Sequence, residues 1–192
     1  LLLLFLPRAV FSRMARRCCF KCLRVSAAVE RVTAVADMFD ITRILDPTTT
    51  CADVDAQSRK RAIEIASDLL ADRHPDLSAR SLFDELMNRE RLGSTALGEG
   101  VAIPHCRTEC ERIHGALLHL ARPVDYDAPD GGGVDLLFVL VVPPDESNTH
   151  LEVLAALARL FQDADNRAAL RHQKSDRDLY DKLVGLVSSQ AA

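Results

Sequence analysis

Arg89, Glu99 and His105 fall within one run, Arg-Glu-Arg-Leu-Gly-Ser-Thr-Ala-Leu-Gly-Glu-Gly-Val-Ala-Ile-Pro-His. Those residue types are the ones needed to carry a phosphoryl group on an imidazole nitrogen. A neutral histidine nitrogen can attack phosphorus. An arginine fork can hold phosphate oxygens at two points. A glutamate can orient either group, and the glycines of the run let backbone N–H groups approach an anion closely. At an unperturbed pKa of about 6.5, roughly three-quarters of His105 is neutral at pH 7.

Each residue alone has a plainer reading. A histidine after proline at a strand end, such as His105, is more often structural. His150, at position N1 of a helix, is equally ordinary. Together they carry more weight, because a helix N-terminus has unpaired N–H donors and partial positive charge. It favours an anion and disfavours an imidazolium, so a neutral His150 there can donate to a phosphate. Arg89 and Arg91 end a helix, where they either complement its macrodipole or form a phosphate clamp. Glu99, between Gly98 and Gly100, is either a turn residue or a partner for Arg89 or for an N–H of a catalytic histidine.

The elements that must position these groups are readable from periodicity. Ala62, Ile63, Ala66, Leu69 and Leu70 recur at helical spacing from Ser58 until Pro75. Ser78 caps a second helix with Leu82, Phe83, Leu86 and Met87 on its apolar face, and Gly93 suits its exit. Val101–Ile103 is a short strand cut by Pro104, which leaves His105 in a loop. Ile113–Leu120 reads as a strand. Val134–Val142 is almost wholly apolar and reads as a central strand covered on both faces. Thr149-His-Leu-Glu152 is a capping-box pattern opening a helix. A short helix follows at about Asn166–Arg171, and Ser175 caps a last one ending near Val187. Helices alternate with strands, so the fold class is α/β: one sheet with helices packed against it.

Composition narrows the functions. The chain has 192 residues, no tryptophan and two tyrosines, which disfavours stacking on single-stranded nucleic acid. Residues 1–37 carry seven Lys/Arg against two Asp/Glu, a net of +5. Residues 38–192 then carry 17 basic against 26 acidic side chains, a net of −9. Such a body does not attract nucleic acid through its general field. Residues 1–37 are expected to be an upstream translated extension or an arm without a fold of its own. Leu1, Met14 and Met38 are the candidate starts, and a membrane or targeting element is the alternative. Leu1–Leu6 is too short to span a bilayer. The six cysteines show no framework spacing, which suits free thiols in a reducing cytoplasm. Cys18, Cys19 and Cys22 resemble half a zinc knuckle without its second half. His105, Cys106, Cys110 and His114 offer a rival zinc site, although their spacing along a strand aims the side chains apart.

The segment 86–105 resembles the phosphorylation-site signature of the type-2 EIIA domains of the bacterial phosphoenolpyruvate-dependent phosphotransferase system. Segments 123–143, 149–158 and 38–45 are similar to its nitrogen-regulatory (PtsN, EIIA-Ntr) branch. The resemblance spans about residues 38–187. It implies a single type-2 EIIA domain over 38–192, with a central mixed sheet flanked by helices. It places the phosphorylated histidine at His105, a second active-site histidine at His150, the phosphate-binding arginine at Arg89 and an acidic site residue at Glu99. It implies an HPr-like phosphocarrier (NPr or HPr) as donor, regulated targets such as kinases or transporters, and neither cofactor nor metal. Cys106 stands where the family usually has glycine, and Glu99 where the branch often has asparagine. No EIIB or permease segment follows before Ala192, so regulation is expected rather than sugar uptake in cis. A sugar-specific EIIA serving a separate EIIB is the alternative.

Overall fold

The computed structural model describes residues 40–145 and 149–190. The chain divides into residues 1–38 and 39–192, and the description concerns the second unit. The expectations for residues 1–37, for the start residue and for Cys18, Cys19 and Cys22 lie outside the described residues.

A short 3-10 turn at Ile41–Arg43 leads into strand β1, Leu45–Val54. Helices α1 (Arg59–Arg73) and α2 (Ala79–Arg91) follow. Ser58 and Ser78 cap them, their hydroxyls accepting from the backbone N–H of Arg61 and Ser81 at 3.2 and 3.4 Å. Strands β2 (Ala96–Gly98), β3 (Val101–Ala102), β4 (His105–Arg107), β5 (His114–Val124) and β6 (Val134–Val142) come next. Helices α3 (Thr149–Gln162), α4 (Ala164–Arg171) and α5 (Asp176–Gln190) complete the described chain. Among the described residues no helix is long and apolar enough to cross a membrane.

The strands form one mixed sheet in the order β1-β5-β6-β3-β2, with β4 also paired to β6. β6 is central, antiparallel to β5 and parallel to both β3 and β4. Side chains alternate across a strand, and here both faces are covered. Leu118, Leu137, Val139 and Val141 pack under α1 and α2. Leu117, Leu136, Phe138 and Leu140 pack under α3, α4 and α5. Burial on both faces is why Val134–Val142 contains only one charged residue.

Three differences from the sequence reading have physical causes. β1 has almost no apolar alternation, yet Thr48, Thr49 and Thr50 are β-branched and suit a strand. Thr49 donates its hydroxyl to Gly115 O at 2.8 Å, binding this edge strand to β5. β5 runs to Val124, beyond Leu120, because pairing with β6 carries its exposed end. His105 is not in a loop: after Pro104 the chain rejoins the sheet, with His105 opposite Leu140. The N–H of Leu140 donates to Pro104 O at 2.9 Å, so the proline interrupts the strand without leaving the sheet.

Candidate active site

Arg89 is in the last turn of α2 and His105 is the first residue of β4. The helix exit turns back through Gly93, whose φ of 149° is a conformation glycine adopts readily. One Arg89 Nη1–H donates to Gly93 O at 3.0 Å, and its Nε–H donates to His105 Nε2 at 3.3 Å. The other ring nitrogen, Nδ1, lies 2.9 Å from Ile103 O. A carbonyl only accepts, so Nδ1 carries the hydrogen and Nε2 presents its lone pair. Burial of the ring pushes the His105 pKa below 6.5, the Ile103 carbonyl opposes that, and the charges of Arg89 and His150 add to the lowering. The imidazole is therefore neutral at pH 7, as a nucleophile must be.

His150 is buried in the first turn of α3, which begins at Thr149 itself. His150 is thus the second helical residue rather than the first. Arg107 Nη2 lies 3.3 Å from its Nε2. Arg107 was not singled out in the sequence. Strand alternation was the available signal: Cys106 points into the core under α1 and α2, so His105 and Arg107 share the opposite side of β4. Arg89, His105, Arg107 and His150 line one cleft of about 660 Å³. A second recess of about 370 Å³ shares Arg89 and His105 and is lined also by Leu97, Ile103 and Leu154. Leu92 at the cleft and Leu97 at the recess are exposed, so apolar side chains border the cationic groups.

Other sequence candidates are placed differently. Arg91 donates to Asn88 Oδ1 at 3.1 Å on the cleft wall. Glu99 does not join Arg89 or either histidine. Its backbone is in the left-handed region (φ 54°), its N–H donates to Asp130 Oδ2 at 2.6 Å, and its carboxylate accepts from Arg167 at 3.2 Å. The duties foreseen for Glu99 fall to two backbone carbonyls, Gly93 O for Arg89 and Ile103 O for His105. Cys106 is buried in the core, and its thiol is pushed up to about 12 by burial. Cys110 is likewise raised to about 11, and His114 packs against His74 with ring centroids 3.8 Å apart and the rings tilted by 39°. Among the described residues, Cys106, Cys110 and His114 do not gather into a group of metal ligands.

Comparison with known proteins gives the family and the fold. The sequence model of the family described as "Phosphoenolpyruvate-dependent sugar phosphotransferase system, EIIA 2" matches residues 43–184. A nitrogen regulatory protein of Pseudomonas aeruginosa is 42% identical over 154 residues, covering 80% of this chain and 100% of that protein. The crystal structure of nitrogen regulatory protein IIA-Ntr from Neisseria meningitidis is similar at a TM-score of 0.70 and 38% identity, covering 77% of this chain and 98% of that one. The Escherichia coli mannitol enzyme IIA, solved in complex with phosphorylated enzyme IIB, shares the fold at a TM-score of 0.58 and 19% identity, over 71% of this chain and 92% of that one. The chain belongs to the type-2 EIIA family of the phosphoenolpyruvate-dependent phosphotransferase system, in its nitrogen-regulatory branch.

Proposed function

We propose that His105 accepts a phosphoryl group on Nε2 from the phosphohistidine of an HPr-like carrier (NPr or HPr). The phosphorylation state of the protein then signals to regulated targets, such as kinases or transporters, in the cytoplasm. The observation that carries this reading is the bond from His105 Nδ1–H to Ile103 O. It fixes the tautomer and leaves Nε2 as the lone pair facing Arg89.

The transfer exchanges one N–P bond for another. The Nε2 lone pair forms a bond to phosphorus, the carrier's N–P bond breaks, and its electron pair returns to the carrier imidazole. Charge spreads over three equatorial oxygens, and in-line transfer is accelerated by donors fixed around them. Arg89 supplies a fork and Arg107 a second cation. His150 and the first N–H groups of α3 supply further donors. Arg89 Nε–H must first release Nε2, moving from the nucleophile to the phosphoryl oxygens as the bond forms.

Incubation with phosphoenolpyruvate, enzyme I and NPr or HPr tests this. Wild-type protein should take up one acid-labile label and His105→Ala none, with both variants folded by circular dichroism. Stoichiometric label on His105→Ala would refute it. The alternative is delivery of the phosphoryl group to a separate EIIB, as the complex of the mannitol relative suggests. Loss of label to an added EIIB would favour that reading.

A further inference from the structure

Arg89 and His105 are both held by backbone carbonyls, and those two carbonyls are tied to one another through Glu90, by its backbone carbonyl on one side and its buried carboxylate on the other. Gly93, whose O holds Arg89, donates its own N–H to Glu90 O at 3.2 Å. The Glu90 carboxylate accepts the N–H of Thr95 at 2.9 Å and the hydroxyl of Thr95 at 2.6 Å. Thr95 O accepts the N–H of Ile103 at 3.1 Å. Ile103 O in turn accepts His105 Nδ1–H at 2.9 Å. The circuit closes where Arg89 Nε–H meets His105 Nε2 at 3.3 Å. The Glu90 side chain is 1% exposed, and Arg59 approaches it only to 3.9 Å.

Fold stability alone is a poor reason for this residue. A carboxylate at the C-terminus of a helix opposes the macrodipole, and a buried charge is costly even when paired. We propose that Glu90, acting through Thr95, is a positioning residue that sets the separation of the Arg89 guanidinium from the His105 nucleophile. Its two carboxylate oxygens hold Thr95 at the entry to β2, and Thr95 O holds Ile103 between β3 and β4, so the two reacting supports cannot shift independently. Glu90 touches neither the phosphoryl group nor the reacting nitrogen. It acts on them through Gly93 O on one side and through Thr95 and Ile103 on the other. This inference rests on His105 being the phosphoryl acceptor.

Thr95→Val keeps shape and removes the hydroxyl, Thr95→Ser restores it, and Glu90→Gln keeps volume while removing the charge. Stopped-flow transfer from phosphorylated NPr should slow about tenfold to a hundredfold in Thr95→Val, the range expected for misplacement of reacting groups. KM for the carrier should stay the same, and Thr95→Ser should return near the wild-type rate. In an Arg89→Lys background, Thr95→Val should slow transfer far less, because residues in one network are non-additive. ¹⁵N NMR of the unphosphorylated protein should show His105 leaving the pure Nδ1–H tautomer in Thr95→Val and in Glu90→Gln. That readout needs no phosphotransfer, so an inactive wild type would sink the acceptor reading while leaving the brace testable. A lowered melting temperature with an unchanged rate and tautomer would overturn the proposal. So would equal slowing in the Arg89→Lys background. If Thr95→Val does not fold, Glu90→Gln carries the same two tests.

Discussion

The Nε–H of Arg89 points at the Nε2 lone pair of His105 across 3.3 Å. In the proposed transfer, the group that would hold the phosphate thus occupies the attacking nitrogen in the resting protein. The contact also places a positive charge beside the imidazole, one of the causes that lower its pKa after burial itself. Under the proposed function Arg89 has two effects: its charge helps burial keep His105 neutral before transfer, and its fork meets the oxygens during it.

Arg89→Lys should slow phosphoryl acceptance by about 2 kcal/mol of transition-state stabilisation, roughly thirtyfold, since lysine keeps charge but loses the fork. Folding should be nearly unaffected. Arg89→Gln should raise the His105 midpoint in an NMR titration, because a repelling charge is removed. Wild-type His105 should titrate below 6.5. A wild-type rate in Arg89→Lys would return Arg89 to the role of a helix-end charge.

His150→Ala should still accept phosphate, more slowly, because the backbone N–H groups opening α3 remain. His150→Gln should recover part of the rate through its amide donor. Arg107→Gln should also slow transfer and alter the ¹⁵N shifts of His150, whose Nε2 lies 3.3 Å from Arg107 Nη2. Loss of label in His150→Ala equal to that in His105→Ala would make His150 an essential relay. No effect at all would make it an ordinary helix-start residue.

Acid should destabilise the fold through His114 and His74. Burial lowers both, His114 to about 4, with the neighbouring His74 and Arg112 adding to that shift. The Nε2 of His114 is buried with no hydrogen-bond partner among the described residues. The unfolded chain thus binds protons that the folded one rejects, so stability holds above about 6.5 and falls as pH drops towards 4. Asp46, held down to about 2 by its Thr48 and Arg73 bonds against the opposing effect of burial, contributes at lower pH. His114→Phe keeps a ring against His74 and should flatten urea-denaturation stability between pH 6.5 and 4. A slope unchanged from wild type would assign the acid sensitivity elsewhere.

Glu99→Gln should leave phosphotransfer within about twofold of wild type and cost well under 1 kcal/mol, the usual scale for an exposed ion pair. The Glu99 side chain is 73% exposed and pairs with Arg167 rather than with Arg89. Slowing as large as that of Arg89→Lys would restore Glu99 to the site. Transfer kinetics and thermal melts on one preparation separate the two.

The sequence by itself determined the elements whose signals are local. The helical apolar spacing after Ser58 marked one helix, and Ser78 marked the start of a second as its cap. The apolar run Val134–Val142 marked the central strand, because burial on both faces leaves no alternation to hide it. The residue types and spacing of Arg89, His105 and His150 pointed to phosphoryl chemistry, and the fold brings the three to one cleft. Only the tertiary structure decided what depends on pairing between distant segments. β1 became a strand by hydrogen bonding to β5 rather than through its own apolar pattern. His105 joined the sheet because Leu140 receives it after Pro104. Glu99 went to Arg167 of α4, and Gly93 O and Ile103 O took the two partners foreseen for it. Sequence spacing states what a residue can do. Which backbone group lies within 3 Å of it is set by how the chain closes on itself, and that distance fixes the tautomer of His105.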